Sequence, residues 1–176
     1  NVGATLGEDP LKKSAVAGIV GLFLVGIFMV AYYKTSGLIA MAALVVYSIL
    51  SLALYKMIPV TLSLAGIAGF ILSIGMAIDA NILIFERMRE ELALGKTLNL
   101  AIIDGFKRAW SSVKDSNLSS ILTCLILYYT AGSGPVRGFA LTLGLGIIIS
   151  LFTAVTVTRT VLLLIAGSRA KRFIHV

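Results

Sequence analysis

The chain has one cysteine, one histidine and three prolines in 176 residues. A single thiol, Cys124, makes no disulfide within the chain and cannot build a thiolate metal site. The histidine, His175, is next to last, so the apolar segments hold no Ser–His pair for nucleophilic catalysis. Charge is scarce too. Only 13% of residues are Asp, Glu, Lys or Arg, against about 25% in a soluble domain. Hydrophobic residues reach 59%. That is more apolar surface than one core of this size hides, so the expected solvent is the lipid bilayer. Neither a metal, nor a cofactor, nor an enzymatic activity is expected.

What is present is organised by apolar length. A membrane helix needs about 20 mostly apolar residues. Five stretches qualify, at 14–33, 38–54, 60–85, 117–132 and 138–165. The breaks are Lys34-Thr35-Ser36-Gly37, Lys56 to Pro59, a long polar stretch, and Gly132-Ser133-Gly134-Pro135, with Gly and Pro as punctuation. The expected fold is all-α: a polytopic bundle of five spanning helices plus one amphipathic cytoplasmic helix. Residues 1–13 read as an extracytoplasmic lead-in, 14–168 as the transmembrane domain, 87–115 as a cytoplasmic loop and 169–176 as a cytoplasmic tail.

The net charge is +7. Five crossings put Lys34, the basic residues of 87–115 and those of the tail on one side, ten in all. Lys12, Lys13, Lys56 and Arg137 fall on the other. The positive-inside rule makes the richer side cytoplasmic, with the N-terminus outside and the C-terminus inside. At least one further helix before Asn1 is expected. No basic patch interleaves with aromatics, so nucleic acid is not an expected partner. Within 87–115, Leu98, Ile102, Phe106, Ala109, Trp110 and Val113 recur at helical spacing. That pattern predicts an amphipathic helix lying on the inner leaflet, as a packing element or a docking surface.

The run "GMAIDANILIFER" carries a carboxylate, Asp79, through residues otherwise fit for hydrocarbon. Such a group costs roughly 2.5–3.5 kcal/mol at bilayer depth and faces a bundle interior or a wet cavity. Ala65, Gly69, Ser73, Ala77 and Asn81, spaced by four, form one small or polar stripe, and Ala68, Gly75 and Asp79 lie on another face. Small residues at that spacing let helices approach closely. Depth matching makes Asp79 a candidate proton relay, with Arg159, Thr123, Ser120 and Asn81 as candidate partners. Two plainer roles stand beside this: a structural, hydrogen-bonded Asp79, and an Arg159 that snorkels to the inner interface. One carboxylate in the spans excludes the paired acids of an intramembrane aspartyl protease. Glu86-Arg87 marks the membrane boundary, and Arg89, Glu90 and Glu91 follow as a solvated turn.

Several motifs, in order, carry a family resemblance. "GMAIDANILIFERMREEL" resembles the signature of the SecD family at its fourth transmembrane helix. "AIIDGFKRAWSSVKDSNLSSILT" is similar to that family's cytoplasmic loop, and "GSGPVRGFALTLGLGIIISLFTAVTVTR" to its last two helices. The resemblance implies helices two to six of the family's membrane domain, half of a resistance-nodulation-division (RND) transporter fold, following a periplasmic domain. It implies a multi-pass subunit of the bacterial cytoplasmic (inner) membrane that uses the proton-motive force, or sodium in some bacteria, to promote protein export. The implied partners are SecF, the SecY channel complex, a translocating unfolded polypeptide and the lipid bilayer. Asp79 matches the family's acid implicated in proton passage, whose partner groups come partly from SecF. Met41 and Tyr47 depart from the polar residues often found at their positions, which leaves that helix's part in a polar path open. Two other readings are a proton-coupled exporter of small molecules or lipids from the same superfamily and a non-transporting assembly scaffold.

Overall fold

A computed structural model describes residues 4–58, 60, 63–132 and 134–167. Residues 1–3 of the predicted lead-in and the predicted tail 169–176 lie outside the described residues. The chain runs α1 (Ala4–Met57), α2 (Leu64–Ala93), α3 (Leu98–Thr130), α4 (Gly134–Thr153), a π-helical turn (Ala154–Thr158) and α5 (Arg159–Gly167). The described residues are all-helical, as the sequence predicts.

α1 is not one rod. At Lys34 the backbone leaves helical geometry (φ 48°, ψ −116°). Beyond the break Gly37 packs on the Met29 carbonyl, and Met41 reaches Gly26. A straight helix would hold Gly37 and Met29 about 12 Å apart at 1.5 Å per residue. The two arms, 4–33 and 35–57, therefore fold back on each other, and the reversal falls in the predicted Lys34–Gly37 break. Glycine at 37 leaves room for the returning backbone.

α2 begins at Ser63, whose side chain accepts from the Gly66 amide at 3.2 Å and caps the free N-terminal donors. It does not end at Phe85. Arg87 to Glu91 are good helix formers with no Gly or Pro, so the helix continues past the predicted boundary. It stops in a Schellman turn. Gly95 takes φ 81°, its amide donates to Leu92 O at 2.9 Å, and the Lys96 amide donates to Glu91 O at 3.3 Å. Only a short turn separates α2 from α3, so the predicted cytoplasmic loop 87–115 is a helical hairpin.

α3 differs from the sequence expectation. The amphipathic stretch and the span at 117–132 were predicted as separate elements, and they form one unbroken helix. Residues 111–120 are polar but hold no Gly or Pro. Their side chains bond back to the preceding turn instead: Ser116 and Asn117 to Val113 O, Ser119 to Asp115 O, Ser120 to Ser116 O. Nor does the apolar face rest on the leaflet. Ile102, Phe106, Ala109 and Val113 are buried in the core shared with Phe85 and Met88 of α2 and Leu162 of α5.

α4, the π turn and α5 form a single rod, because Thr153 and Arg159 at the junctions keep right-handed helical geometry. α2 is the central helix, and α4 packs on it most extensively. Small residues allow this. A Cβ at Gly69 would strike Thr142 and, at 2.7 Å, the Phe139 carbonyl. One at Gly146 would strike the Ser73 side chain and, at 2.8 Å, the Tyr47 hydroxyl. Among the described residues, three helical stretches are long and apolar enough to cross a membrane: Lys12–Met57, Leu64–Ala93 and Gly134–Gly167. α3 is not among them, since only its second half is apolar.

Gly69→Val and Gly146→Val are each expected to destabilise the full-length protein by about 1–3 kcal/mol through overpacking. Gly75→Ala, whose added methyl would meet nothing within 4 Å, is expected to be neutral or to gain up to about 1 kcal/mol. Unfolding in SDS titrations measures the difference, and equal losses at all three positions would contradict the close-contact account.

Candidate functional site

The α2 stripe foreseen from spacing faces α4. Along it runs a seam of buried polar groups. Tyr55 Oη donates to Thr142 O at 2.8 Å. One level on, the Tyr47 and Ser73 hydroxyls lie 2.6 Å apart. Ser73 gives its one proton to Phe70 O at 2.7 Å, so Tyr47 is the donor of that pair. Ser150 and Thr153 continue the seam, each bonded to its own helix. At its end Thr158 Oγ1 donates to Asn81 Oδ1 at 2.9 Å, and Asn81 Nδ2 donates to Ala77 O at 3.1 Å. From Thr142 to Thr158 the seam spans about 24 Å at 1.5 Å per residue, most of a hydrocarbon core of about 30 Å. Each of these groups has a partner, which matters because an unpaired polar group in hydrocarbon costs several kcal/mol.

Asp79 lies off the seam. Two residues from Asn81, it points to a different face, as i and i+2 positions on a helix must. It is exposed, lining an open crevice of about 230 Å³ between α2 and α3 with Met76, Ala80, Leu83, Val113, Ser116 and Asn117. No described residue hydrogen-bonds or ion-pairs with its carboxylate. Of the predicted relay partners, Asn81 belongs to the seam. Ser120 and Thr123 bond back to Ser116 O and Ser119 O and do not line the crevice. Arg159 is exposed elsewhere, its guanidinium 5.9 Å from the centre of the Phe106 ring. The hydroxyl that lines the crevice with Asp79 is that of Ser116, one turn before Ser120. Ser116 stands there with the buried Asn117, whose Nδ2 donates to Val113 O at 2.7 Å.

The model of the MMPL family matches residues 11–175. The chain belongs to the MMPL family. Within the MMPL family, the protein translocase subunit SecD of Synechocystis sp. is 54% identical over 170 residues, covering 97% of this chain and 36% of that protein. SecD of Dehalococcoides mccartyi is 52% identical over 172 residues, covering 96% and 38%. The crystal structure of SecDF from Thermus thermophilus, a translocon-associated membrane protein, superposes with a TM-score of 0.90 at 38% identity, covering 93% of this chain and 23% of that one. The chain thus spans about a third of the length of the curated relatives it matches. Resemblance to SecD, an RND-type fold and membership of the MMPL family agree with the sequence reading.

The charged end of α2 was foreseen as a solvated turn at Arg89, Glu90 and Glu91; Arg89 and Glu90 are exposed, and Glu91 is not. Glu86 is half-buried and accepts from Tyr33 Oη at 2.9 Å. Glu91 is only 2% exposed, held by Lys96 and Arg108 at 2.5 Å each. Lys96 also reaches Asp104 at 2.6 Å, and Arg108 reaches Glu90 at 3.0 Å. α3 folding back along α2 delivers these cations, a tertiary effect that helical spacing alone does not carry. The Lys96 ammonium is pushed above its usual range, first by Asp104 and then by Glu91. Tyr55 is the functional-looking residue that sequence reasoning missed, and Tyr47 was singled out only as a departure. The signal was their spacing of two turns on one arm.

Asn81→Leu and Thr158→Val test the seam as a double-mutant cycle. The expected coupling is about 0.6–1.7 kcal/mol, the range for interhelical hydrogen bonds in membranes. Strictly additive losses in SDS unfolding would mean that the pair contributes only packing.

Proposed function

We propose that this chain is the proton-responsive membrane segment of a SecD-type protein-export subunit. The observation that carries the proposal is Asp79, a carboxylate at bilayer depth with no partner among the described residues. Lipid contact would cost an ionised carboxylate roughly 2.5–3.5 kcal/mol. Its crevice is therefore filled by water or by polar groups of a neighbouring chain. A SecF-type half covering the α2–α3 face supplies such groups, and the name SecDF of the structural neighbour supports that pairing.

In this reading the chain crosses the inner membrane five times: by both arms of α1, by α2 to Phe85, by the second half of α3 and by the α4–α5 rod. The first half of α3 is the amphipathic cytoplasmic element, packed on α2 at the inner interface. The N-terminus lies outside and the C-terminus inside, as the basic residues require. Protonation removes the charge of Asp79 and with it the need for a wet or ionic surrounding. Two arrangements of the crevice then differ in proton affinity, the condition for an ion to shift a conformational equilibrium. At 100 mV one elementary charge is worth about 2.3 kcal/mol, which is roughly a fifty-fold bias at 1.4 kcal/mol per tenfold. α2 is clamped to α4 by the seam, so the pair moves as one body against α3. That motion is delivered to an extracytoplasmic domain gripping an unfolded polypeptide as it leaves the SecY channel. The coupling ion is H+, or Na+ through the same carboxylate.

Asp79→Asn in the full-length protein is expected to assemble and accumulate normally and to abolish the stimulation of export by the proton-motive force. Export assayed at matched expression, with and without an uncoupler, gives the answer. Retained, uncoupler-sensitive stimulation in the variant would reject the relay and leave an assembly scaffold.

A further inference from the structure

A second polar site lies nearer the N-terminal end of α3, against the π turn and α5, and has no part in the relay. Ile103, Phe106, Lys107 and Trp110 of α3, with Val155 of the π turn and Arg159 of α5, line an open pocket of about 320 Å³. Its floor is apolar. Phe106 is buried, and Ile103 is 42% exposed. Its rim carries two cations, Lys107 and Arg159, both exposed. The Trp110 indole, 41% exposed, stands beside them.

Two features fix what such a pocket takes. The first is charge. The acids at this end of the bundle are already engaged: Glu90 and Glu91 with Arg87, Lys96 and Arg108, and Asp104 with Lys96. No carboxylate lines the pocket, and neither Lys107 nor Arg159 makes an ion pair among the described residues. Arg159 instead lies over the Phe106 ring, which fixes the guanidinium at the pocket mouth. The second is depth. Gly105 abuts the Met88 backbone, a Cβ there falling 2.8 Å from the Met88 amide nitrogen. Phe106 is thus level with the point where α2 turns from Phe85 to Glu86-Arg87 and leaves the apolar zone. A tryptophan at that level is an interfacial residue.

We infer that this pocket binds the phosphate headgroup of an anionic phospholipid of the inner leaflet. Lys107 and Arg159 hold the phosphate, the Trp110 N–H is available as a further donor, and Phe106 and Val155 meet the first acyl carbons. Basic pockets between membrane helices on the cytoplasmic side take acidic headgroups for these reasons. The inference requires the membrane placement given above and does not depend on a role in export.

Trp110 is the one tryptophan of this chain and reports on the site. The full-length protein is reconstituted in phosphatidylcholine vesicles doped with brominated phosphatidylglycerol or, separately, brominated phosphatidylcholine. Subtracting the signal of Trp110→Phe isolates this indole. Brominated phosphatidylglycerol is expected to quench it at least about twofold more than brominated phosphatidylcholine at equal mole fraction. Lys107→Gln/Arg159→Gln is expected to remove that preference while quenching by brominated phosphatidylcholine stays unchanged, which shows the variant inserted. Lys107→Gln alone should remove part of it. Equal quenching of the wild type by both lipids would overturn the inference and assign the basic pair to an acidic protein segment. A preference that survives the double variant would overturn it as well.

Discussion

Gly69 and Gly146 set the distance between α2 and α4, and that distance places every other polar contact in the bundle. In lipid there is little hydrophobic force to press helices together, so contact rests on packing and on hydrogen bonds. With the two backbones this close, Ser73 lies against Gly146 and takes a bond from Tyr47, while Asn81 comes within reach of Thr158. The arm carrying Tyr47 and Tyr55 is held at both levels of the same interface. Widening the α2–α4 gap would strand these hydroxyls in hydrocarbon, where each unmet group is costly. Packing and polar pairing here are one constraint.

The same constraint divides α2 into two working faces. Asn81 is bonded, buried and fixed by the seam. Asp79, two residues earlier, looks into an open crevice with no partner among the described residues. One face is thus hydrogen-bonded to α4, and the other stands open between α2 and α3. The Lys107–Arg159 pocket lies nearer the N-terminal end of α3, and in the placement proposed above that is the headgroup level. A bound anionic lipid there would tie the amphipathic half of α3 to the leaflet through its headgroup, although its apolar face is spent on protein.

Much of this was legible from residue types and spacing. The turn at Lys34–Gly37, the small stripe from Ala65 to Asn81 and its use in close contact, and the singular position of Asp79 follow from local pattern. What was not legible depended on which helix lies beside which. Asp79 and Arg159 were matched by depth, but depth says nothing of azimuth: Asp79 lines the α2–α3 crevice and Arg159 lies over Phe106. Of the solvated turn expected at Arg89–Glu91, Arg89 and Glu90 are exposed, but Glu91 is buried, because the turn into α3 brings Lys96 and the returning α3 brings Arg108. The interfacial helix expected to be separate merged with the next span. Serines and Asn117 satisfied themselves against their own backbone, so polarity without Gly or Pro did not end the helix. Tyr47, a departure when read by type, supplies through its hydroxyl the polar contact its position calls for.

The π turn at Ala154–Thr158 carries a consequence for how α5 is oriented. Each π turn accommodates one residue more than an α turn, so everything beyond it is rotated by about 100° relative to an uninterrupted α-helix. Heptad counting carried forward from α4 would therefore assign the wrong azimuth to Thr158 and Arg159. With the insertion in place, one faces inward to Asn81 and the other outward over Phe106. A single surplus residue thus acts as the phase setting of the rod, deciding in one step which side chain joins the interior and which meets the membrane surface.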